Sequence, residues 1–171
     1  PMSQGTRCHQ LAMYVVYNQP LAMLCDSPTA YEAEPEFTKF LAEIPTTWDS
    51  WSAIDGEIGE YIVVRGEKDG YLYYAGLNGN TSREVTIHFG MFGYSPDNDH
   101  YGDIEIYSDK GDSSTDYDYT HIETNGTRYV IGDNFPSELK IDMSPGGGFV
   151  LKTHIRTWED MKKTRLKMRL N

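Results

Sequence analysis

The sequence predicts a mixed fold in which two kinds of structure follow one another along the chain. Apolar residues recur with helical spacing in two stretches before about residue 45. An unbroken apolar run lies between those two stretches. From about residue 46 onward, short alternating strands with turn signals replace the helical pattern. We therefore expect a helix–strand–helix unit followed by an all-β antiparallel sandwich.

The first unit is predicted to be part of a parallel α/β arrangement. One face of the first helix carries apolar residues at i, i+3, i+4, i+7 and i+8, namely Cys8, Leu11, Ala12, Val15 and Val16. After Pro20, the run Leu21–Cys25 is typical of a strand covered on both faces, as parallel strands usually are. A second helix is predicted over Glu36–Ile44, after a short acidic linker. Because no other parallel strand is predicted in the chain, the neighbours of this strand are expected to lie outside it.

The second unit is predicted from alternation with a period of two. Strands are expected at Tyr61–Gly66, Tyr71–Leu77, Arg83–Phe89, Asp103–Tyr107, Tyr119–Thr124, Arg128–Ile131, Glu138–Met143 and Phe149–Thr153. Asp69-Gly70 and Asn125-Gly126 are hairpin signals, because glycine tolerates the positive φ of a tight turn. Seven or eight short, half-polar strands describe an antiparallel sandwich.

Charge is distributed unevenly over the 171 residues. The net charge is −11, but residues 152–171 carry seven Lys or Arg against two acids. The acidic body argues against nucleic acid and against anionic membranes as partners. No apolar run approaches the ~20 residues of a membrane span. The first residue is Pro1, which favours a piece of a longer chain, so the lack of a signal peptide carries no information on location.

Two cysteines and the basic tail leave alternatives open. Cys8 and Cys25 both lie on predicted apolar surfaces and are expected to be two small buried thiols, with a disulfide between them as the minority interpretation. Residues 154–171 form a basic tail whose structure the pattern does not decide. Either a helix opens at Thr157, or Leu166, Met168 and Leu170 alternate with Lys and Arg as an edge strand would.

No catalytic set is visible from motifs alone. The chain lacks a G-x-S-x-G elbow, an H-E-x-x-H zinc motif and a phosphate-binding glycine loop. The five histidines are scattered, and no pair has metal-ligand spacing on one element. The Asp-rich stretch from Tyr94 to Asp118 fails as an EF-hand loop, because Tyr101 and Ser108 occupy ligand positions. We expect it to be a solvated acidic loop.

Four motifs resemble the C-terminal third of glycoside hydrolase family 97. They are TRCHQLAMYVVYNQPLAMLCDSP (Thr6–Pro28), IPTTWD (Ile44–Asp49), GEIGEYIVV (Gly56–Val64) and PGGGF (Pro145–Phe149), and the resemblance runs in order over about residues 5–150. The family comprises α-glucosidases and α-galactosidases that work outside the cytoplasm, so a periplasmic or otherwise extracytoplasmic location is implied. The basic tail lies outside the resemblance.

The resemblance implies an N-terminal β-sandwich, a catalytic (β/α)₈ barrel and a C-terminal β-sandwich. Residues 1–45 would be a barrel remnant, with helix 7 at Thr6–Asn18, strand 8 at Leu21–Cys25 and helix 8 at Glu36–Ile44. Residues 46–153 would be the final sandwich and 154–171 the tail. The partners of this chain would then be the missing barrel, the N-terminal domain and an oligosaccharide substrate.

The family hydrolyses its substrate with two carboxyl groups and a calcium ion held by glutamates. All of those residues precede Pro1 in the family order, so no catalytic or metal-binding residue is expected here, and the chain alone is expected to be inactive. Asp26, at the mouth of strand 8, either lines the sugar pocket or caps the turn after the strand. Trp48 is expected to pack the sandwich against the barrel, with sugar stacking as the alternative.

Two further hypotheses belong to other functional classes. A free-standing carbohydrate-binding module would use sandwich aromatics such as Tyr71, Tyr73 and Tyr74, and it would require exposed, coplanar rings on one face. A structural or interaction domain with no connection to sugars would be favoured if the first 45 residues formed a self-contained helical cap with no open strand edge.

Overall fold

A computed structural model describes residues 5–20, 22–24, 26–89, 99–111, 113–122 and 138–157. Within these ranges the helices are α1 (Arg7–Val16), α2 (Pro28–Glu32) and α3 (Pro35–Glu43). The strands are β1 (Ser50–Glu57), β2 (Tyr61–Lys68), β3 (Tyr71–Asn78), β4 (Arg83–His88), β5 (Asp99–Asp109), β6 (Tyr117–Ile122), β7 (Glu138–Met143) and β8 (Gly148–Thr157). In the described part of the chain, no helix is long and apolar enough to span a membrane.

All the described strand pairs are antiparallel. A six-stranded sheet has the order β1-β2-β3-β8-β5-β6, and a two-stranded sheet pairs β4 with β7. The Asp69-Gly70 turn joins β2 to β3 as predicted, with positive φ angles of 50° and 81° at these two residues. The two sheets pack face to face, which confirms the antiparallel sandwich.

The six-stranded sheet is covered on both faces because its strands direct apolar side chains to both sides. One face packs against β4 and β7 in a sandwich core of Val63, Leu72, Tyr74, Val85, Ile87, Phe89, Ile104, Ile106, Ile141, Met143, Phe149 and Leu151. The other face packs against α1 and α3 in a helix core of Cys8, Leu11, Ala12, Val15, Val16, Phe40, Leu41, Ile44, Val64, Tyr73, Ala75, Tyr107 and Val150. The architecture is therefore three layers: helices, large sheet and small sheet.

The two predicted helices are confirmed, and local capping explains their starts. The Thr6 hydroxyl accepts the His9 backbone N–H at 3.0 Å and caps α1. Pro35 begins α3, where its fixed φ suits the first helical turn. The short helix α2 was not predicted. Ser27 caps it and Pro28 occupies its first turn, but its five residues are too few to show a helical period.

The strand predicted at Leu21–Cys25 is not confirmed in its described part. Ala22, Met23 and Leu24 belong to no strand, and the side chains of Met23 and Leu24 are 70% and 57% exposed. Residues 21 and 25 lie outside the described residues. A buried parallel strand pairs with a neighbouring strand on each side, and none of the described strands pairs with this segment.

Three further predictions need correction. Strand β1 was missed, because Ser50–Glu57 is mostly polar or small and its register shifts between Ala53 and Asp55. The stretch 94–118 is not simply a solvated loop, since β5 covers Asp99–Asp109 and β6 begins at Tyr117. Strand β8 continues beyond the predicted Phe149–Thr153 to Thr157. The predicted Arg128–Ile131 strand, the Asn125-Gly126 turn and residues 158–171 lie outside the described residues.

Candidate functional site

Asp26, the predicted sugar-pocket residue, lies on an exposed turn before α2. Its carboxylate accepts the backbone N–H of Ser27 at 2.8 Å. Its own backbone N–H donates to the Tyr31 hydroxyl at 3.0 Å. These contacts fit the alternative in which Asp26 caps the turn. They involve only one oxygen of the exposed carboxylate. The pocket role of Asp26 stays a prediction.

The three aromatic side chains proposed for a carbohydrate-binding module do not share a face. Tyr73 and Tyr74 are 3% and 1% exposed, the first in the helix core and the second in the sandwich core. The Tyr73 hydroxyl donates to the backbone carbonyl of Glu43 at 2.9 Å, so it fixes the end of α3. Tyr71 is 40% exposed. An exposed coplanar set formed by these three rings is therefore ruled out.

The contact between helix and sheet is centred on a buried carboxylate that motif analysis missed. Asp109, at the end of β5, accepts the Thr6 hydroxyl at 2.5 Å through one oxygen. Its other oxygen accepts the backbone N–H groups of Ser144 at 2.9 Å and Gly148 at 2.8 Å. Burial raises the pKa of Asp109, although these three hydrogen bonds oppose the shift. One side chain thus joins the N-cap of α1 to two strands.

The glycine-rich turn Pro145–Gly148 is shaped by this junction. A Cβ on Gly147 would lie 1.8 Å from an Asp109 carboxylate oxygen, and a Cβ on Gly148 would lie 2.5 Å from the Gly76 carbonyl oxygen. The His9 ring nitrogen Nδ1 is 3.0 Å from the Gly147 carbonyl oxygen. Glycine is required here because α1, Asp109 and β3 approach the backbone directly.

Two tryptophans pack on the helix-facing side of the sheet. The Trp51 indole N–H donates to the Val15 carbonyl at 3.0 Å, which satisfies one of the last carbonyls of α1. The Trp48 ring meets Tyr73 edge-on at 5.4 Å and lies directly over Gly66, where a Cβ would be only 2.6 Å away. Both contacts of Trp48 are with residues of the sheet, so its role in packing the sandwich against the barrel stays a prediction.

Beside α3, the helix-facing side of the sheet opens into a groove of about 410 Å³. We call it the tyrosine groove. It is lined by Glu36, Lys39, Phe40, Glu43, Tyr71, Asp103, Glu105, Tyr107, Tyr117, Tyr119, Lys152, Thr153 and His154. At its floor the Lys152 ammonium bonds Glu43 and lies 3.7 Å from Glu105. The groove therefore combines aromatic rings with an internally paired charge cluster.

Burial holds the hydroxyls of Tyr107 and Tyr119, two of the groove tyrosines, in their neutral form. Burial, followed by the hydrogen bond to Glu105, raises the pKa of Tyr119 to about 12. Burial also raises the pKa of Tyr107 well above its ordinary value. Burial likewise raises the pKa of the Cys8 thiol, which disfavours the thiolate. These groups can donate hydrogen bonds, but they are not activated nucleophiles.

The structure does not bring the predicted site residues together. Asp26 lies on the turn before α2, Trp48 lies over β2, and the tyrosine groove lies beside α3. Within the described ranges, no group of three or more His, Cys, Asp or Glu could hold a metal ion. Period-two alternation could have placed Asp109 on β5, because Asp109 lies on the same face of the strand as Glu105 and Tyr107. Asp109 was instead assigned to a polar loop, because the residues around it are mostly polar.

Comparison with known proteins gives one family and a consistent set of folds. Residues 47–154 match a family described as glycosyl-hydrolase 97 C-terminal, oligomerisation. A retaining alpha-galactosidase of Bacteroides thetaiotaomicron is 40% identical over 157 residues, which are 89% of this chain and 21% of the relative. The chain thus spans about a fifth of the length of that protein.

Solved structures share the fold at lower identity. A glycoside hydrolase family 97 enzyme from Pseudoalteromonas sp. strain K8 in complex with panose matches with a TM-score of 0.73 and 22% identity, over 90% of this chain and 23% of that one. A beta-arabinopyranosidase matches with a TM-score of 0.66 and 21% identity, over 86% of this chain and 21% of that one.

Proposed function

Because this chain belongs to the C-terminal family of glycoside hydrolase family 97, we propose that it is the end of a longer glycosidase that cleaves α-galactosidic or α-glucosidic bonds. The retaining alpha-galactosidase at 40% identity favours a galactosidic substrate. The two reacting carboxyl groups belong to the segment that precedes this chain. The chain alone is then inactive.

Residues 1–45 in this proposal close a (β/α)₈ barrel. The observation that supports this proposal is the helix core, in which buried residues of α1 and α3 pack against buried residues of the large sheet. The family description covers only residues 47–154, whereas the structural likeness covers 90% of the chain and so includes most of the helical segment. Met23 and Leu24 are exposed where barrel neighbours would cover them.

The sheet in this proposal has two structural roles. Its helix-facing side supports the barrel wall through Asp109, Trp48 and Trp51, and the domain contributes to assembly of the enzyme, as the family description states for its members. Asp26 lines the sugar pocket in the assembled barrel. A calcium ion, if the parent enzyme holds one, takes its ligands from the preceding segment, since the described residues here do not fit such a site. An extracytoplasmic location follows from the family resemblance.

The test compares this chain with the longer protein that includes the preceding barrel segment. The pair Met23→Ser and Leu24→Ser should leave the free energy of unfolding of the 171-residue chain unchanged within about 0.5 kcal/mol, because both side chains are exposed. In the longer protein the same pair should cost about 3 kcal/mol or more, since each buried apolar side chain contributes about 1.5–3 kcal/mol.

Ile58 supplies the matched control. It lies on the β1–β2 turn and is fully exposed, and Ile58→Ser should be neutral in both proteins. A neutral result for the Met23 and Leu24 pair in the longer protein would overturn the barrel proposal. Hydrolysis of a nitrophenyl α-galactoside by the longer protein, and none by the chain alone, tests the proposed activity separately.

A further inference from the structure

We propose that the tyrosine groove is the binding site for the chain's own basic tail, residues 158–171. The occupant is a positively charged segment with apolar side chains at alternate positions, Leu166, Met168 and Leu170, between lysines and arginines. The proposal concerns a surface beside α3 and a part of the sequence that the proposed glycosidase role does not use.

The position of the groove places it close to the start of this segment. Lys152 and His154 of β8 line the groove, and the strand continues for only three residues beyond His154 to Thr157. At the rise of a β-strand, those residues span ~10 Å. A segment of the length of 158–171 can reach ~45 Å when extended. The tail can therefore reach every part of the groove without rearrangement of the sheet.

Charge favours the contact. Residues 158–171 carry five Lys or Arg against two acids, a net charge of +3, whereas the whole chain has a net charge of −11. Four carboxylates line the groove, namely Glu36, Glu43, Asp103 and Glu105. Lys152 is already paired with two of these and Lys39 is the only other Lys or Arg of the lining. An incoming lysine or arginine therefore meets an excess of negative charge.

The rings of the groove suit the other side chains of the tail. Tyr71 and Tyr119 are 40% and 46% exposed, yet both are fixed in place. Tyr71 stacks on His154 with ring centroids 4.5 Å apart, and the Tyr119 hydroxyl donates to Glu105 at 3.0 Å. Rings held in one orientation offer apolar and cation–π contacts at little cost in side-chain entropy.

Tethering makes a weak contact sufficient. A segment attached a few residues from its site has an effective concentration in the millimolar range. A dissociation constant of about 1 mM for the free segment would then keep the groove roughly half occupied in the intact chain. The expected interaction is weak when the segment is a separate peptide, is sensitive to salt, and fills about half of the grooves in the intact chain.

The experiment adds a synthetic peptide of residues 158–171 to a chain that ends at Thr157, observed by amide NMR in 50 mM salt. We expect shifts concentrated at the groove, a dissociation constant between about 0.1 and 2 mM, and at least a threefold weakening in 300 mM salt. The variant Glu105→Gln should weaken binding about threefold or more. Glu84→Gln should not, because Glu84 is an exposed carboxylate on β4, in the opposite layer.

A second measurement uses the full chain and needs no added peptide; the chain that ends at Thr157 serves only as the reference. Lys162→Glu combined with Lys163→Glu should move the groove amides toward their positions in the chain that ends at Thr157. The proposal is overturned if the peptide causes no shifts at millimolar concentration, if the shifts lie on β4 and β7 instead, or if the double variant leaves the groove amides unchanged. Equal weakening by Glu84→Gln would show general charge attraction rather than a site, and would also overturn it.

Discussion

Replacing Asp109 tests whether one buried carboxylate joins α1 to the sheet. Its two oxygens accept three hydrogen bonds, from the Thr6 hydroxyl and from the backbone N–H groups of Ser144 and Gly148. Thr6 also caps α1, so loss of the carboxylate affects the helix, the β7–β8 turn and β5 together. Asp109→Ala and Asp109→Asn separate the loss of the side chain from the loss of its charge.

The expected cost follows from the number of partners left without an acceptor. A buried donor that loses its acceptor costs about 1–3 kcal/mol, and a hydrogen bond to a charged group contributes about 1.5–3 kcal/mol. In Asp109→Ala the buried Thr6 hydroxyl, the buried Gly148 N–H and the partly buried Ser144 N–H lose their acceptor, so we expect a loss of about 3–5 kcal/mol. In Asp109→Asn the amide oxygen can still accept both backbone N–H groups. We expect about 1–2 kcal/mol, because the charge assistance and the Thr6 bond are lost while the burial cost of the charge is relieved.

The pH dependence has a definite sign. Burial raises the pKa of Asp109 in the folded chain above its ordinary value, so the folded state binds this proton more tightly than the unfolded state does. The stability contributed by this titration is present below the unfolded value of about 3.9 and is lost as pH rises through the folded pKa. Because asparagine does not titrate, the deficit of Asp109→Asn relative to the native chain should be larger near pH 4 than at pH 7.

Urea unfolding followed by circular dichroism gives both quantities by linear extrapolation. Asp118→Asn is the matched control, because Asp118 is an exposed carboxylate of the same chemistry on β6, 4.0 Å from Lys110. It should change the free energy of unfolding by less than about 0.5 kcal/mol. The reasoning is refuted if Asp109→Ala costs less than about 1 kcal/mol, or if Asp118→Asn costs as much as Asp109→Asn.

Three further expectations concern the same interface. Gly147→Ala should lower the free energy of unfolding by about 2–4 kcal/mol in urea, because its methyl group would overlap the Asp109 carboxylate at 1.8 Å. Gly111→Ala is the control, since a Cβ there meets nothing within 4 Å; the positive φ of Gly111 adds its own backbone cost to that variant. Tyr73→Phe should cost about 1 kcal/mol through the lost bond to the Glu43 carbonyl, and no change would argue against that bond. In a chain whose other cysteine is serine, Cys8 should react with Ellman's reagent only as fast as α1 detaches, since the thiol is fully buried and its pKa is raised.

Periodicity predicted the elements whose two faces differ in polarity. Helix α1 and strand β4 show this directly, because each alternates buried and exposed positions at the period of its own geometry. Strand β3 was predicted from its hairpin turn, yet it is buried on both sides. The sequence therefore did not show which tyrosine faces which core, and the alternative hypothesis of an exposed set of Tyr71, Tyr73 and Tyr74 needed the structure to be ruled out.

The predictions that the structure did not confirm have a common physical cause: contacts between distant segments determine the structure at those positions. Met23 and Leu24 are apolar, but a strand forms only where a neighbouring strand pairs with it, and no described strand pairs with this segment. Asp109 is polar, but three donors from distant segments stabilise it in the interior. The distant donors that stabilise Asp109 are not visible in local sequence.

The burial of the helix-facing side of the large sheet and the exposure of Met23 and Leu24 indicate that the sandwich is a supporting layer rather than an independent module. An independent sandwich would leave the helix-facing side of its large sheet polar, because exposed apolar patches of that size promote association. Here that side carries Val64, Ala75 and Val150, all fully buried under the helices. Met23 and Leu24 lie between α1 and α2, and they are exposed because the sheet does not cover them. In the proposed glycosidase, we therefore expect the preceding barrel segment to contact the helical layer rather than the sandwich.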